Sequence, residues 1–144
     1  MTIYTIGFAK KNLREFIKRL QQAGVNKVVD IRLNNTSQLA GYSKKDDLAY
    51  VLELVGIGYE HLPELAPTAE LMEGIKSKSI SWAEFETAFN DILQSRHAEQ
   101  YRDLILNGEG VCLLCAEDKP KGCHRSLVAD YFAAMMPGTG VRHL

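Results

Sequence analysis

Long apolar runs are missing from this chain: nowhere do about eighteen apolar residues follow one another, as a membrane-spanning helix requires. The opening Met1-Thr2-Ile3-Tyr4-Thr5-Ile6-Gly7-Phe8 has no basic segment leading into an apolar core, which argues against a secretory leader and for a cytoplasmic protein. An excess of one charge is missing too, since 17 Lys and Arg stand against 18 Asp and Glu for a net charge of −1. Binding to polyanions by counterion release therefore has little to draw on, and nucleic acid would need a local site. Cysteine is scarce, with three in 144 residues, and an odd number in a chain of intracellular character excludes a disulfide-stapled fold. Walker, GxGxxG, HExxH and GxSxG motifs are absent, and Gly138-Thr139-Gly140 alone does not make a dinucleotide site. No cofactor is assigned on that basis.

What is present is a balanced globular composition, 46% hydrophobic and 24% charged, of a length suited to one domain over 1–144. Ile3 to Phe8 is β-prone. Leu13, Phe16, Ile17, Leu20 and Ala23 then recur at helical steps, with Asn12 and Glu15 as a capping-box-like start and Gly24 as the stop. Val28 to Arg32 predicts a second strand, followed by a polar loop over 33–42. Ser43 opens a helix carrying Leu48, Val51, Leu52 and Val55, and Tyr59 to Leu62 predicts a third strand. A short helix is expected after Thr68. Ser81-Trp82-Ala83-Glu84 predicts a capped helix with Trp82, Phe85, Phe89, Ile92 and Leu93 inward, and further helical turns surround Tyr101, Leu104 and Ile105. Val111 to Ala116 is apolar on both faces, as a central parallel strand must be. A helix through Leu127, Val128, Tyr131 and Phe132 and an edge strand at 141–144 complete the pattern. The alternation predicts a single three-layer α/β/α domain with a mostly parallel, Rossmann-like sheet.

Ligands of such sheets bind outside the carboxyl ends of the strands. That rule selects Gly7-Phe8, the residues from Arg32 onward, His61-Leu62-Pro63, and Cys115 to Arg125. Within the last segment, Cys115-Ala116-Glu117 precedes a turn rich in Lys and Gly, and Cys123-His124-Arg125 opens a helix. Unpaired amides at a helix start favour an anion or a thiolate, and His124 and Arg125 would add to that field. A space-filling cysteine at a strand-to-helix junction is the plainer alternative. Zinc is a further one, but an extended 111–116 points Cys112 and Cys115 to opposite faces, which assigns Cys112 to the core and leaves Cys115, Cys123 and His124. A phosphatase loop is excluded, because Asp118, Lys121 and Ala129 stand where its Arg would follow each cysteine.

Asp30 and Arg32 share a strand face, as a substrate-orienting pair or as a buried ion pair satisfying itself. Asn34-Asn35-Thr36-Ser37-Gln38 offers neutral hydrogen-bonding groups suited to a sugar, base or amide, and His61 ends the third strand on the same rim. Lys10, Lys11, Lys44 and Lys45 are surface charges near helix starts that could make this edge locally positive.

Tyr4-Thr5-Ile6-Gly7, Val29-Asp30-Ile31-Arg32, Tyr59-Glu60-His61-Leu62-Pro63-Glu64-Leu65, Leu114-Cys115-Ala116-Glu117 and Cys123-His124-Arg125-Ser126-Leu127-Val128-Ala129 resemble, in order, the motifs of the domain of unknown function 488 family. Phe8 and Ala9 depart from the His-Ser that many members carry after the first Gly. The resemblance implies a compact cytosolic α/β domain and marks Asp30, Arg32, His61, Cys115, Glu117, Cys123, His124 and Arg125 as motif positions. The combined expectation is a small enzyme acting on an anionic or nucleotide-like substrate. Cys115 or Cys123 is its thiol, His61 or His124 its acid or base, and Glu117 and Asp30 orient; Arg32, Arg125, Asn34 and Asn35 bind. A non-catalytic nucleotide or nucleic-acid binding module and a Cys/His metal-binding protein are the alternatives.

Overall fold

The structure, a computed structural model, describes residues 1–35, 38–117 and 123–144. Thr36 and Ser37, and residues 118–122 with Asp118 and Lys121, lie outside the described residues. In chain order the elements are β1 (Thr2–Gly7), α1 (Leu13–Gln22), β2 (Lys27–Asp30), α2 (Lys45–Leu54), β3 (Gly58–His61) and α3 (Ala69–Lys76). These are followed by α4 (Trp82–Ser95), α5 (Arg102–Leu106), β4 (Val111–Cys115), α6 (His124–Ala133) and β5 (Gly140–His143), with short 3-10 turns between some of them.

The five described strands form one all-parallel sheet in the order β3-β2-β4-β1-β5. Side chains of β4 alternate between its faces, so Cys112 and Leu114 join Phe16, Leu20, Leu48 and Leu52 of α1 and α2 on one side. Val111, Leu113 and Cys115 pack on the other side with Phe85, Phe89, Val128 and Phe132 of α4 and α6. Helices thus cover both faces, giving the expected three-layer α/β/α domain. Burying each such Leu or Phe stabilises the fold by roughly 1.5–3 kcal/mol before entropy is counted.

The route of the chain locates the functional edge. β1 connects through α1 over β4 to β2, whereas β4 connects through α6 over β1 to β5, so the connections leave β1 and β4 on opposite faces and in opposite directions. The carboxyl ends of these two central strands are the topological switch point, the edge at which ligands of open α/β sheets bind. Gly7 and Cys115 are register partners there.

The end of β2 and the start of α2 differ from the sequence expectation for one shared reason. β2 stops at Asp30, whose carboxylate accepts the Arg32 backbone N–H at 3.1 Å and takes that donor out of the sheet ladder. Arg32 therefore lies past the strand. Its guanidinium donates to the Ser43 carbonyl at 2.6 Å, and α2 begins after Lys44 instead of being capped by the buried Ser43. Asn12 caps α1 by accepting the Glu15 N–H at 2.8 Å, but the Glu15 side chain pairs with Arg19, so only half the box forms. At Ser81 and Glu84 both halves are made.

Candidate functional site

Beyond the β1–β4 ladder the two chains stay paired for two more steps, Phe8 N–H to the Cys115 carbonyl at 3.2 Å and Ala9 N–H to the Ala116 carbonyl at 3.0 Å. This tight approach delivers the Glu117 carbonyl to the wall of β1, where the fully buried Arg125 guanidinium donates to it. Arg125 thereby ties the end of β4 to the start of α6. Cys123 is the N-cap of that helix and sits beside Cys115, and the structure joins the two sulfurs as a disulfide. This corrects the expectation from the cysteine count. An odd number forbids complete pairing, but it does not forbid one local pair between a strand end and the start of the next helix. Cys112 is free and buried on the opposite face of the sheet, and burial pushes its thiol pKa up.

His124, the first residue of α6, reaches across to β2. Its Nε2 lies 2.8 Å from the Ile31 carbonyl, and its ring meets Phe89 edge-on at 5.9 Å. A carbonyl oxygen only accepts, so Nε2 carries the hydrogen and Nδ1 the lone pair. Burial depresses the imidazole pKa to about 4, and the nearby Arg125 charge adds to the effect, so the ring is neutral at physiological pH. One ring nitrogen of His124 and the sulfurs of Cys115 and Cys123 all lie within 4.8 Å of one another.

These three residues line a cavity of about 650 Å³, a size suited to a small molecule. Leu33, Asn34, Ala116 and Glu117 line the sheet edge beside them, and Ala69, Met72 and Ile75 of α3 with Trp82 and Phe85 of α4 supply an apolar wall. Trp82 stacks on Phe85 with ring centroids 5.1 Å apart and planes 16° from parallel. Glu73 and Lys76 add charge, Lys76 being the cation among the described lining residues that carry a permanent positive charge. Thr68 caps α3 through the Leu71 N–H at 3.1 Å, and Ser81 caps α4, so both walls start from fixed points.

Asp30 and Arg32 form a separate, buried network behind this cavity. Arg32 Nε and Nη2 donate to the two carboxylate oxygens at 2.8 and 2.7 Å, and the same carboxylate accepts Tyr59 Oη at 2.6 Å and Asn35 Nδ2 at 3.1 Å. Burial alone would raise the Asp30 pKa, yet the Arg32 bonds and charge, followed by Tyr59 and Asn35, outweigh it and hold the carboxyl below its ordinary value. Burial, then the Asp30 carboxylate, pushes the Tyr59 pKa up. His61 Nε2 bonds the Arg32 carbonyl at 2.8 Å, and Arg32 lies over the Phe8 ring at 5.4 Å.

Of the residues singled out from the sequence, the cavity brings together Asn34, Cys115, Glu117, Cys123 and His124. It does not bring in Asp30, Arg32, Asn35, His61 or Arg125, which hold one another and the surrounding loops from behind. Sequence reasoning missed the α3 wall. The signal was the excursion between β3 and α4, whose short helix packs Leu71 and Ile75 against the core yet leaves Met72 exposed on the cavity side.

Comparison with curated proteins and with solved structures returned no match. The model of the family described as Domain of unknown function DUF488 matches residues 12–132, a span that includes β2, the cavity wall, both site cysteines and His124. The chain belongs to this family.

Proposed function

We propose that the protein is a small cytoplasmic enzyme whose chemistry is carried by Cys115 and Cys123 and whose substrate, an anionic or nucleotide-like molecule, occupies the adjoining cavity. The observation that carries this reading is the juxtaposition of two sulfurs within bonding reach and a cavity of about 650 Å³ at the carboxyl edge of a parallel sheet. Trp82 and Phe85 offer a flat apolar surface to a ring, while Asn34 and Lys76 meet polar or anionic groups.

The amide groups at the start of α6 favour a thiolate at Cys123, and the neutral His124 ring lies beside it. One of the two sulfurs, as thiolate, acts as the nucleophile or redox thiol. Glu117 orients the substrate at the rim. Asp30, Arg32, Asn35, His61 and Arg125 act through the backbone they hold.

The test is the pH dependence of alkylation of the reduced protein, read for each cysteine by mass spectrometry. One of Cys115 and Cys123 is expected to react with a midpoint below the roughly 8.5 of free cysteine, and a nucleoside monophosphate is expected to slow it. If both titrate like free cysteine, or neither reacts, the thiol chemistry is lost. Saturable nucleotide binding with unaltered thiol reactivity would instead favour a non-catalytic binding module.

A further inference from the structure

The sulfurs of Cys115 and Cys123 have a second use when they are not bonded to each other. Cys115 ends β4, while Cys123 and His124 begin α6, so three donors converge from two rigid elements. Two thiolates and one imidazole form a borderline-soft set that suits zinc and contains no oxygen ligand of the kind magnesium or calcium requires. The Cα atoms of the two cysteines are 7.7 Å apart, wider than the roughly 4.4–6.8 Å over which disulfides usually close. At that backbone spacing the two side chains, once reduced, can part around an ion.

A second and independent observation concerns the imidazole. The Ile31 carbonyl takes the Nε2 hydrogen at 2.8 Å and leaves Nδ1 with its lone pair, and Phe89 fixes the ring plane. A backbone carbonyl on the far nitrogen is how zinc-bound histidines are commonly oriented and made better donors. That tautomer leaves a nitrogen lone pair to serve as a ligand beside the two sulfurs.

We propose that reduced Cys115 and Cys123, together with His124, hold one zinc ion whose fourth position faces the cavity. Three protein ligands and one open position is the arrangement of catalytic zinc, in contrast to the closed four-ligand structural sites. This inference rests on the preceding reading in taking the cavity as the place where substrate binds, and it adds the cofactor that would meet the substrate there. Oxidation empties the site. A disulfide such as oxidised glutathione is attacked by one cysteine thiolate, releasing one glutathione thiolate; the second cysteine displaces the other, and the zinc ion leaves with no thiolate ligand remaining.

The experiment uses the full chain, reduced and then dialysed against zinc chloride, with the metal counted by elemental analysis and the ligands read by cobalt substitution. One zinc per chain and a thiolate-to-cobalt charge-transfer band are expected. Cys123→Ser and His124→Gln should weaken binding by more than the roughly 10- to 100-fold that loss of an outer partner costs, whereas Cys112→Ala should bind as the unaltered chain does. Protein oxidised with glutathione disulfide tests the same ligands without a substitution, and it should hold no zinc. Metal-free reduced protein, a cobalt spectrum without a thiolate band, or equal binding by the oxidised form would overturn the proposal. Absence of zinc together with fast, low-midpoint alkylation would overturn the metal site alone; absence of both zinc and reactivity would also remove the proposed thiol enzyme.

Discussion

The Glu117 carbonyl oxygen occupies the space that a side chain on Gly7 would need. Gly7 is the register partner of Cys115, and a Cβ placed on it would collide with that oxygen and with the Arg125 guanidinium. Its φ is not positive, so glycine is required by space and not by backbone conformation. Gly7→Ala is therefore expected to lose about 1–3 kcal/mol in urea unfolding, as overpacking does. Gly140→Ala on the edge strand, where nothing lies within 4 Å, should stay within about 0.5 kcal/mol of the parent. Equal costs at the two positions would mean that the close approach of Glu117 constrains nothing.

The Asp30–Arg32 pair makes a prediction whose sign depends on pH. The folded Asp30 carboxyl titrates below its ordinary 3.8, so its contribution is fully present above about pH 4 and is lost as pH falls through the folded pKa. Arg32→Met removes the paired charge and leaves burial, which raises a carboxyl pKa. At pH 7 that variant should be about 3–5 kcal/mol less stable, the usual result of orphaning a buried charge. On acidification to pH 3 the gap between the two proteins should narrow, because Asp30 in the variant gains by being protonated. Urea midpoints at the two pH values measure this, and a constant gap would show that Asp30 is not the group responsible.

Local pattern was enough for most of the fold. The two-faced apolar run Val111 to Cys115 identified the central strand, and Ser81 with Glu84 marked the start of α4 by chemistry that acts over three residues. The same pattern placed Cys115, Cys123 and His124 on one edge, since a strand end and the following helix start are neighbours by connectivity. What it could not show was which groups meet from distant parts of the chain. Tyr59 and Asn35 converge on Asp30 across the sheet edge, and that saturation of the carboxylate separates Asp30 and Arg32 from the cavity. Met72 on α3 gave no such signal, because it is exposed and faces the cavity instead of the core.

Cys112 offers a check on the division of the cysteines between the two faces of the sheet. All three cysteines are buried, but Cys112 lies inside the core with its pKa raised by burial, whereas Cys115 and Cys123 border the cavity through which a reagent can reach them. In reduced protein, a chromogenic disulfide reagent is expected to titrate two thiols under native conditions and the third only after urea is added. Three native thiols of similar rate would contradict the assignment of Cys112 to the core.

The single tryptophan of the chain is a built-in reporter, because Trp82 lies in the cavity wall stacked on Phe85. A planar ligand that enters beside it replaces water at the indole face, so a nucleoside monophosphate is expected to change the emission with a saturable dependence on concentration. Met72 faces the same cavity, and shortening it removes apolar contact worth on the order of 1 kcal/mol, which corresponds to about fivefold in affinity. Met72→Ala should therefore shift the titration midpoint upward by about that factor. Tyr50, exposed on α2 against the opposite face of the sheet, provides the contrast: Tyr50→Ala should leave the midpoint in place. An emission change that rises linearly without saturation, or that responds equally to both substitutions, would show that the nucleotide does not occupy the space between α3, α4 and the paired cysteines.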